Sequence, residues 1–102
     1  MARRLSYQTL EVLALMVQHA TADFYGLELA KAGGIPTGTI YPILRRLEDS
    51  GWVESSWEQI DPREQGRPRK RLYRLTGLGV REARRHLDRA QSVFAKPQVG
   101  LR

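Results

Sequence analysis

The sequence predicts a mainly α-helical fold with a two-stranded β-hairpin, and three observations carry that expectation. Apolar residues recur at helical spacing in four stretches, the third of them the single stripe Ile40, Ile43, Leu44 and Leu47. The segment from Trp52 to Leu75 loses that period and reads as two strands around turn residues. The basic run Gly66-Arg67-Pro68-Arg69-Lys70-Arg71 reads as a cationic hairpin tip that leads into the second strand. Three helices, a hairpin and a last helix, in that order, make a winged helix-turn-helix with a C-terminal helix. The third helix and the cationic hairpin tip form a two-part footprint for duplex DNA: the helix enters the major groove and the tip holds the backbone.

Each element has a local cause. Ser6 can cap a first helix running to about His19, with Leu10, Leu13, Met16 and Val17 on one face and Val12, Ala14 and Leu15 widening it. A helix apolar over so much of its circumference is expected to be buried, in part against a partner subunit. Thr21 or Asp23 can cap a second helix through about Lys31, closed by Gly33-Gly34. Ile35-Pro36 forces an extended turn. Thr37 or Thr39 caps the third helix, Pro42 is expected near its first turn, where a missing N–H costs little, and Ser50-Gly51 stops it. Trp52 to Glu58 and Arg69 to Leu75 read as antiparallel strands, with Trp57, Tyr73 and Leu75 on a half-buried face. Thr76 caps the last helix. Its apolar residues Val80, Ala83, Leu87, Ala90 and Phe94 follow a heptad seam between charged flanks, a pattern suited to packing on a second copy of the chain or back on its own domain. The expected organisation is a DNA-binding domain over residues 1–75, a dimerisation helix over 76–95 and a mobile tail over 96–102.

Charge narrows the function. The chain has 102 residues, 17 Lys and Arg against 11 Asp and Glu, and a net charge of +6. A small domain this basic suggests a polyanionic partner, and the clustering strengthens the case. Arg63, Arg67, Arg69, Lys70, Arg71 and Arg74 face only Glu64 within their segment. The absence of cysteine excludes disulfide and thiol chemistry. The longest apolar run, Val12 to Val17, is too short for a membrane span, and no secretory h-region follows Met1-Ala2-Arg3-Arg4, so a cytoplasmic location is expected. His19 and His86 stand alone, without clustered carboxylates, and no Walker-type loop or catalytic Ser, His and Asp set is visible. Neither an enzyme nor a cofactor or metal is expected.

The candidate DNA contacts follow from chemistry. Thr37, Thr39 and Tyr41 lie at the N-terminal end of the third helix, where hydroxyls can bond phosphate or base edges; Tyr41 either reaches DNA or stacks in the core. Pro42 lies beside them. Arg45 and Arg46 come one turn later: one reaches a base or phosphate, Arg45 preferred, while the other pairs with Glu48 or Asp49. Lys31 can touch phosphate from the second helix. Arg67, Arg69 and Lys70 can neutralise phosphate from the tip, which Pro68 stiffens, and Arg67 or Arg69 can enter the minor groove. The candidate dimer contacts are Leu10, Leu13 and Val17 on the first helix and Val80, Ala83, Leu87, Ala90 and Phe94 on the last. A two-fold dimer sets its recognition helices roughly 34–36 Å apart on an inverted repeat.

Four motifs also resemble one family. Tyr25-Gly26-Leu27-Glu28-Leu29-Ala30 resembles the aromatic-Gly-x-Glu-Leu motif of the second helix in PadR-type regulators. The stretch Gly38-Thr39-Ile40-Tyr41-Pro42-Ile43-Leu44-Arg45-Arg46-Leu47-Glu48, followed by Gly51, is similar to the recognition-helix motif of that family. Gly66-Arg67-Pro68-Arg69-Lys70 resembles its wing, and Tyr73-Arg74-Leu75-Thr76 with Gly79 its entry into the last helix. The single C-terminal helix resembles the smaller PadR subtype. The resemblance implies a bacterial transcription factor, usually a repressor, that acts as a dimer and responds to a phenolic, drug-like or stress-related small molecule. Some small relatives bind flat aromatic drugs through a tryptophan on the last helix; here Phe94 is the aromatic residue on that helix. Arg71 stands where many relatives have an aromatic residue.

Two other classes compete with a dimeric, sequence-specific repressor whose effector is a small aromatic molecule. One is a winged-helix module that binds protein. The other is an architectural DNA binder without sequence choice. MarR-type regulators are the nearest rival at the level of fold, and they use longer helical extensions for their dimers.

Overall fold

The structure is a computed structural model and describes the backbone of residues 5–95 and the side chains of residues 5–91. Its elements run α1 (Tyr7–Val17), β1 (Phe24–Tyr25), α2 (Gly26–Gly33), α3 (Thr37–Asp49), β2 (Val53–Trp57), α4 (Pro62–Gln65), β3 (Arg71–Leu75) and α5 (Gly77–Ala95). The three-helix, hairpin, helix order is the expected one, and the molecule is mainly helical with a small antiparallel sheet in the order β1-β3-β2.

Helix ends follow local chemistry. The Ser6 hydroxyl accepts from the Thr9 N–H at 3.1 Å and caps α1. Gly34, at φ 62°, ends α2 in the left-handed conformation, and the Ile35 N–H returns to the Ala30 carbonyl at 2.8 Å. Thr76 does two jobs: its hydroxyl donates to the Gly51 carbonyl at 2.6 Å and accepts from the Gly79 N–H at 2.9 Å. It therefore caps α5 and ties it to the turn after α3.

Three expectations are corrected. The second helix does not begin at Thr21 or Asp23. Phe24 and Tyr25 are extended and pair with Tyr73 and Leu72 of β3, giving a third strand. The Asp23 carboxylate accepts from Arg74 Nε at 2.9 Å instead of capping a helix, while Glu28 accepts the Tyr25 N–H at 2.8 Å at the start of α2. The loop after β2 contains a single helical turn, α4, which Asp61 caps through the Arg63 N–H and Gly66 closes at φ 67°. Trp57 is 57% exposed rather than half-buried, because the hairpin carries it past the helices.

The core lies where α1, α2 and α3 meet the base of the hairpin. Val12, Leu13, Met16, Leu29, Ile40, Ile43, Leu44 and Val53 are its fully buried side chains. Each contributes about 1.5–3 kcal/mol by leaving water. Ala83 is also fully buried, so the first turns of α5 complete this core. The boundary expected at residue 75 thus crosses a shared core. The tail 96–102 lies outside the described residues, and no described helix is long and apolar enough to cross a membrane.

Candidate nucleic-acid interface

Helix α3 sorts its residues cleanly. Ile40, Ile43, Leu44 and Leu47 are buried, while Thr37, Tyr41, Pro42, Arg45 and Arg46 are exposed and Thr39 is half-buried. Tyr41 is partly packed and partly open to solvent. The residue is 42% exposed, yet its ring covers Gly26, where an added Cβ would lie 2.5 Å from Tyr41 Cε1. Glycine there lets the aromatic ring lie against the start of α2. Pro42 is not in the first turn: α3 begins at Thr37, so the proline sits inside the helix and denies the Gly38 carbonyl its usual N–H. Gly38 is exposed, and that carbonyl can bond water. Arg45 and Arg46 form no salt bridge among the described residues, and Glu48 takes the Ser55 hydroxyl at 2.5 Å instead of an arginine.

The wing is organised around a residue that the sequence did not single out. Glu58 is 7% exposed just after β2. Its carboxylate accepts from Arg67 at 2.7 and 3.0 Å, from the Tyr25 hydroxyl at 2.7 Å and from the Lys70 N–H at 3.0 Å. The hydrogen bonds from Arg67, then those from Tyr25 and the Lys70 backbone, pull the carboxyl from 4.5 down to about 2. The same contact raises the Arg67 guanidinium and, through the Tyr25–Glu58 bond and burial, the Tyr25 phenol. Nothing in the spacing marks Glu58, since its partners lie far apart in sequence.

This cluster separates the expected wing cations. Arg67 is held against Glu58, so its charge is neutralised within the protomer. Arg69 is exposed, with Nε donating to the Ile60 carbonyl at 2.9 Å and no carboxylate partner among the described residues. Lys70 is exposed with Nζ 4.6 Å from the centre of the Tyr25 ring, and Pro68 is exposed beside them. A cleft of about 400 Å³ lies between wing and helices, lined by Tyr25, Leu27, Lys31, Tyr41, Lys70 and Arg71. The fold thus brings Lys31 of α2, Tyr41 of α3 and two wing cations to one surface.

The expected dimer residues divide in two. Leu13 and Ala83 are 0% exposed and belong wholly to the protomer's own core, so they offer no contact surface to a partner. Val80 is half-buried and packs on that core. Val17 also touches the core, but with Leu10, Leu87 and Ala90 it lines a groove of about 540 Å³ between α1 and α5. Tyr7, 74% exposed, stands at its edge. The side chain of Phe94 lies outside the described residues.

Comparison with solved structures supports the architecture. The chain is similar to the transcriptional regulator PcaV from Streptomyces coelicolor, solved with its natural ligand (TM-score 0.70, 23% identity, 94% of this chain and 64% of that one). It is similar to AF1382 from Archaeoglobus fulgidus (TM-score 0.69, 20% identity, 87% and 90%). It is also similar to a MarR mutant from E. coli (TM-score 0.65, 24% identity, 80% and 54%). The chain spans 54% of that MarR chain and 61% of a Lactococcus lactis ZitR chain. At these identities the likeness speaks for the winged-helix fold. No curated protein matches the sequence. The profile of the transcriptional regulator PadR-like family, however, matches residues 12–85. With that match over most of the chain, on a winged-helix frame with an exposed third helix and a basic wing, the chain belongs to the PadR-like family of transcriptional regulators.

Proposed function

We propose that the chain acts as a homodimer on an inverted-repeat operator and represses transcription until a small-molecule or stress signal releases it. The observation that carries this reading is the arrangement of two surfaces. Thr37, Tyr41, Pro42, Arg45 and Arg46 are exposed on α3, Arg69 and Lys70 are exposed on the wing with Lys70 sharing a cleft with Tyr41, and α1 and α5 hold an apolar groove. In this reading α3 enters the major groove, with Thr37, Thr39 and Tyr41 at its leading end and Arg45 the main base or phosphate contact. Arg69 and Lys70 lie on the flanking phosphates, and Pro68 holds the tip's shape. Arg67 acts on DNA indirectly, by fixing the wing through Glu58. The α1–α5 groove receives the last helix of a second copy, and a small aromatic effector acts by changing the spacing of the two recognition helices.

Selection of genomic fragments by the purified protein, followed by sequencing, tests the reading. A sharp inverted repeat is the expected result. Uniform retention of DNA would instead support an architectural binder. No retention, at a salt concentration low enough for phosphate contacts to form, would support a protein-binding module.

A further inference from the structure

The two strands of the hairpin alternate faces. Val53 pairs with Leu75, Ser55 with Tyr73 and Trp57 with Arg71, so these six residues share one face of the sheet. At its base that face is core: Val53 is 2% and Leu75 5% exposed. In the middle it meets the recognition helix, where Ser55 donates to Glu48 of α3. At its outer end the face leaves the helices behind, and Trp57 is 57% exposed. The guanidinium of Arg71 lies 4.8 Å from the centre of the Trp57 ring, and its Nε donates to Ser55 Oγ at 3.2 Å. Arg71 thus forms a chain to α3 through Ser55 and Glu48. It has no carboxylate within salt-bridge distance among the described residues, and its terminal nitrogens keep their donors.

We propose that Trp57 and Arg71 form a further DNA contact on the inner face of the wing, taking the sugar–phosphate strand that runs between wing and recognition helix. This rests on the DNA-binding reading above and adds two residues to it. An exposed indole stacked on a guanidinium that no carboxylate neutralises suits an occupant with both an apolar and an anionic part. A deoxyribose–phosphate strand offers both: the sugar face covers the ring and the phosphate takes the free donors of the guanidinium. The stack fixes Arg71 in advance, which lowers the ordering cost of the contact. Lys31 and Lys70 line the cleft that Arg71 borders, and Arg69 lies beside Trp57 at the outer end, so both ends of the pair carry the matching potential.

Tryptophan emission tests this, because the chain has two tryptophans. Trp52 is half-buried with its ring 5.5 Å from that of His86, so each can be read alone in W57F and W52F. The probe is a mixed-sequence DNA duplex at low salt, with binding followed independently by anisotropy of a label on the DNA. Emission of W52F is expected to change saturably with duplex, in step with anisotropy, while W57F emission stays fixed. W57A and R71A are expected to lose about five- to tenfold in duplex affinity with unchanged thermal midpoints, and W57F to lose less than W57A. Protection of the wild-type protein from acrylamide quenching by duplex gives the same readout if W52F fails to fold. Binding by anisotropy without any change at Trp57 overturns the proposal and leaves the DNA-binding reading intact. Loss of binding by the wild type overturns both. A Trp57 signal that follows protein concentration rather than DNA assigns the ring to a second copy and also overturns it.

Discussion

Glu58 gathers four hydrogen bonds on one carboxylate, from Tyr25 beside α2 and from Arg67 and Lys70 in the wing. These contacts favour the ionised form, and the sign of their pH dependence follows. The carboxyl falls from 4.5 to about 2 on folding, so its stabilising effect is complete above pH 4.5 and is lost as pH drops toward about 2. In Glu58→Gln the urea midpoint should be lower than wild type at neutral pH, and the gap should close across that acid window. A constant gap from neutral pH to pH 2 would show that the charge of Glu58 is not what holds the wing. The same cluster sets different roles for neighbouring arginines. Arg69→Ala should flatten the slope of log affinity against log salt by about 0.9, the value for one phosphate contact. Arg67→Ala should instead lower the thermal midpoint, since it strips Glu58 of its ion-pair partner. Equal salt slopes for Arg69→Ala and wild type would remove Arg69 from the backbone.

At the scale of elements, glycine decides how closely helices approach. A Cβ on Gly79 would fall inside van der Waals contact with the carbonyl oxygen of Trp52, a backbone atom that also accepts from the Thr76 N–H at 3.0 Å. Neither side can yield without moving α5 off the start of β2. Gly79→Ala should therefore cost about 3 kcal/mol, seen as a lower urea midpoint with an unchanged slope. Gly38→Ala, also within a helix but with open space for its Cβ, is the clash-free control and should hold or slightly raise the midpoint. Elements with a strong period were the legible ones. The stripe of α3, the Ser6 cap of α1 and the Thr76 cap of α5 all follow from side chains close in sequence. What local pattern could not show was set by distant partners. Asp23 looked like a cap but pairs with Arg74, and Phe24-Tyr25 looked helical but completes a sheet with β3. Arg67 looked like a free cation, and Glu58, nine residues earlier and just after the end of β2, holds it. Apolar heptads on α5 could not tell core from interface, because Ala83 and Leu87 obey the same spacing while facing different neighbours.

That last ambiguity becomes a test at the scale of the molecule. Leu13 lies at 0% exposure in the protomer core, whereas Leu87 and Leu10 line the α1–α5 groove. A dimer built through that groove makes the two classes behave in opposite ways. Leu87→Glu places a charge on the groove wall, where burial against a partner would leave it unpaired. It should give a species near the monomer mass of 11.7 kDa by sedimentation, with its helical circular dichroism retained. Its affinity for a full inverted repeat should fall by about 10²–10⁴, because the second recognition helix is no longer tethered to the first, while affinity for a single half-site stays near wild type. Leu13→Ala should do the reverse. It should lose about 2–5 kcal/mol of folding stability as a cavity opens in the core, yet keep the wild-type mass below its unfolding transition. If Leu87→Glu sediments with wild type, the groove is not the subunit contact. Bivalent binding would then require a different face of α5 to join the two wings.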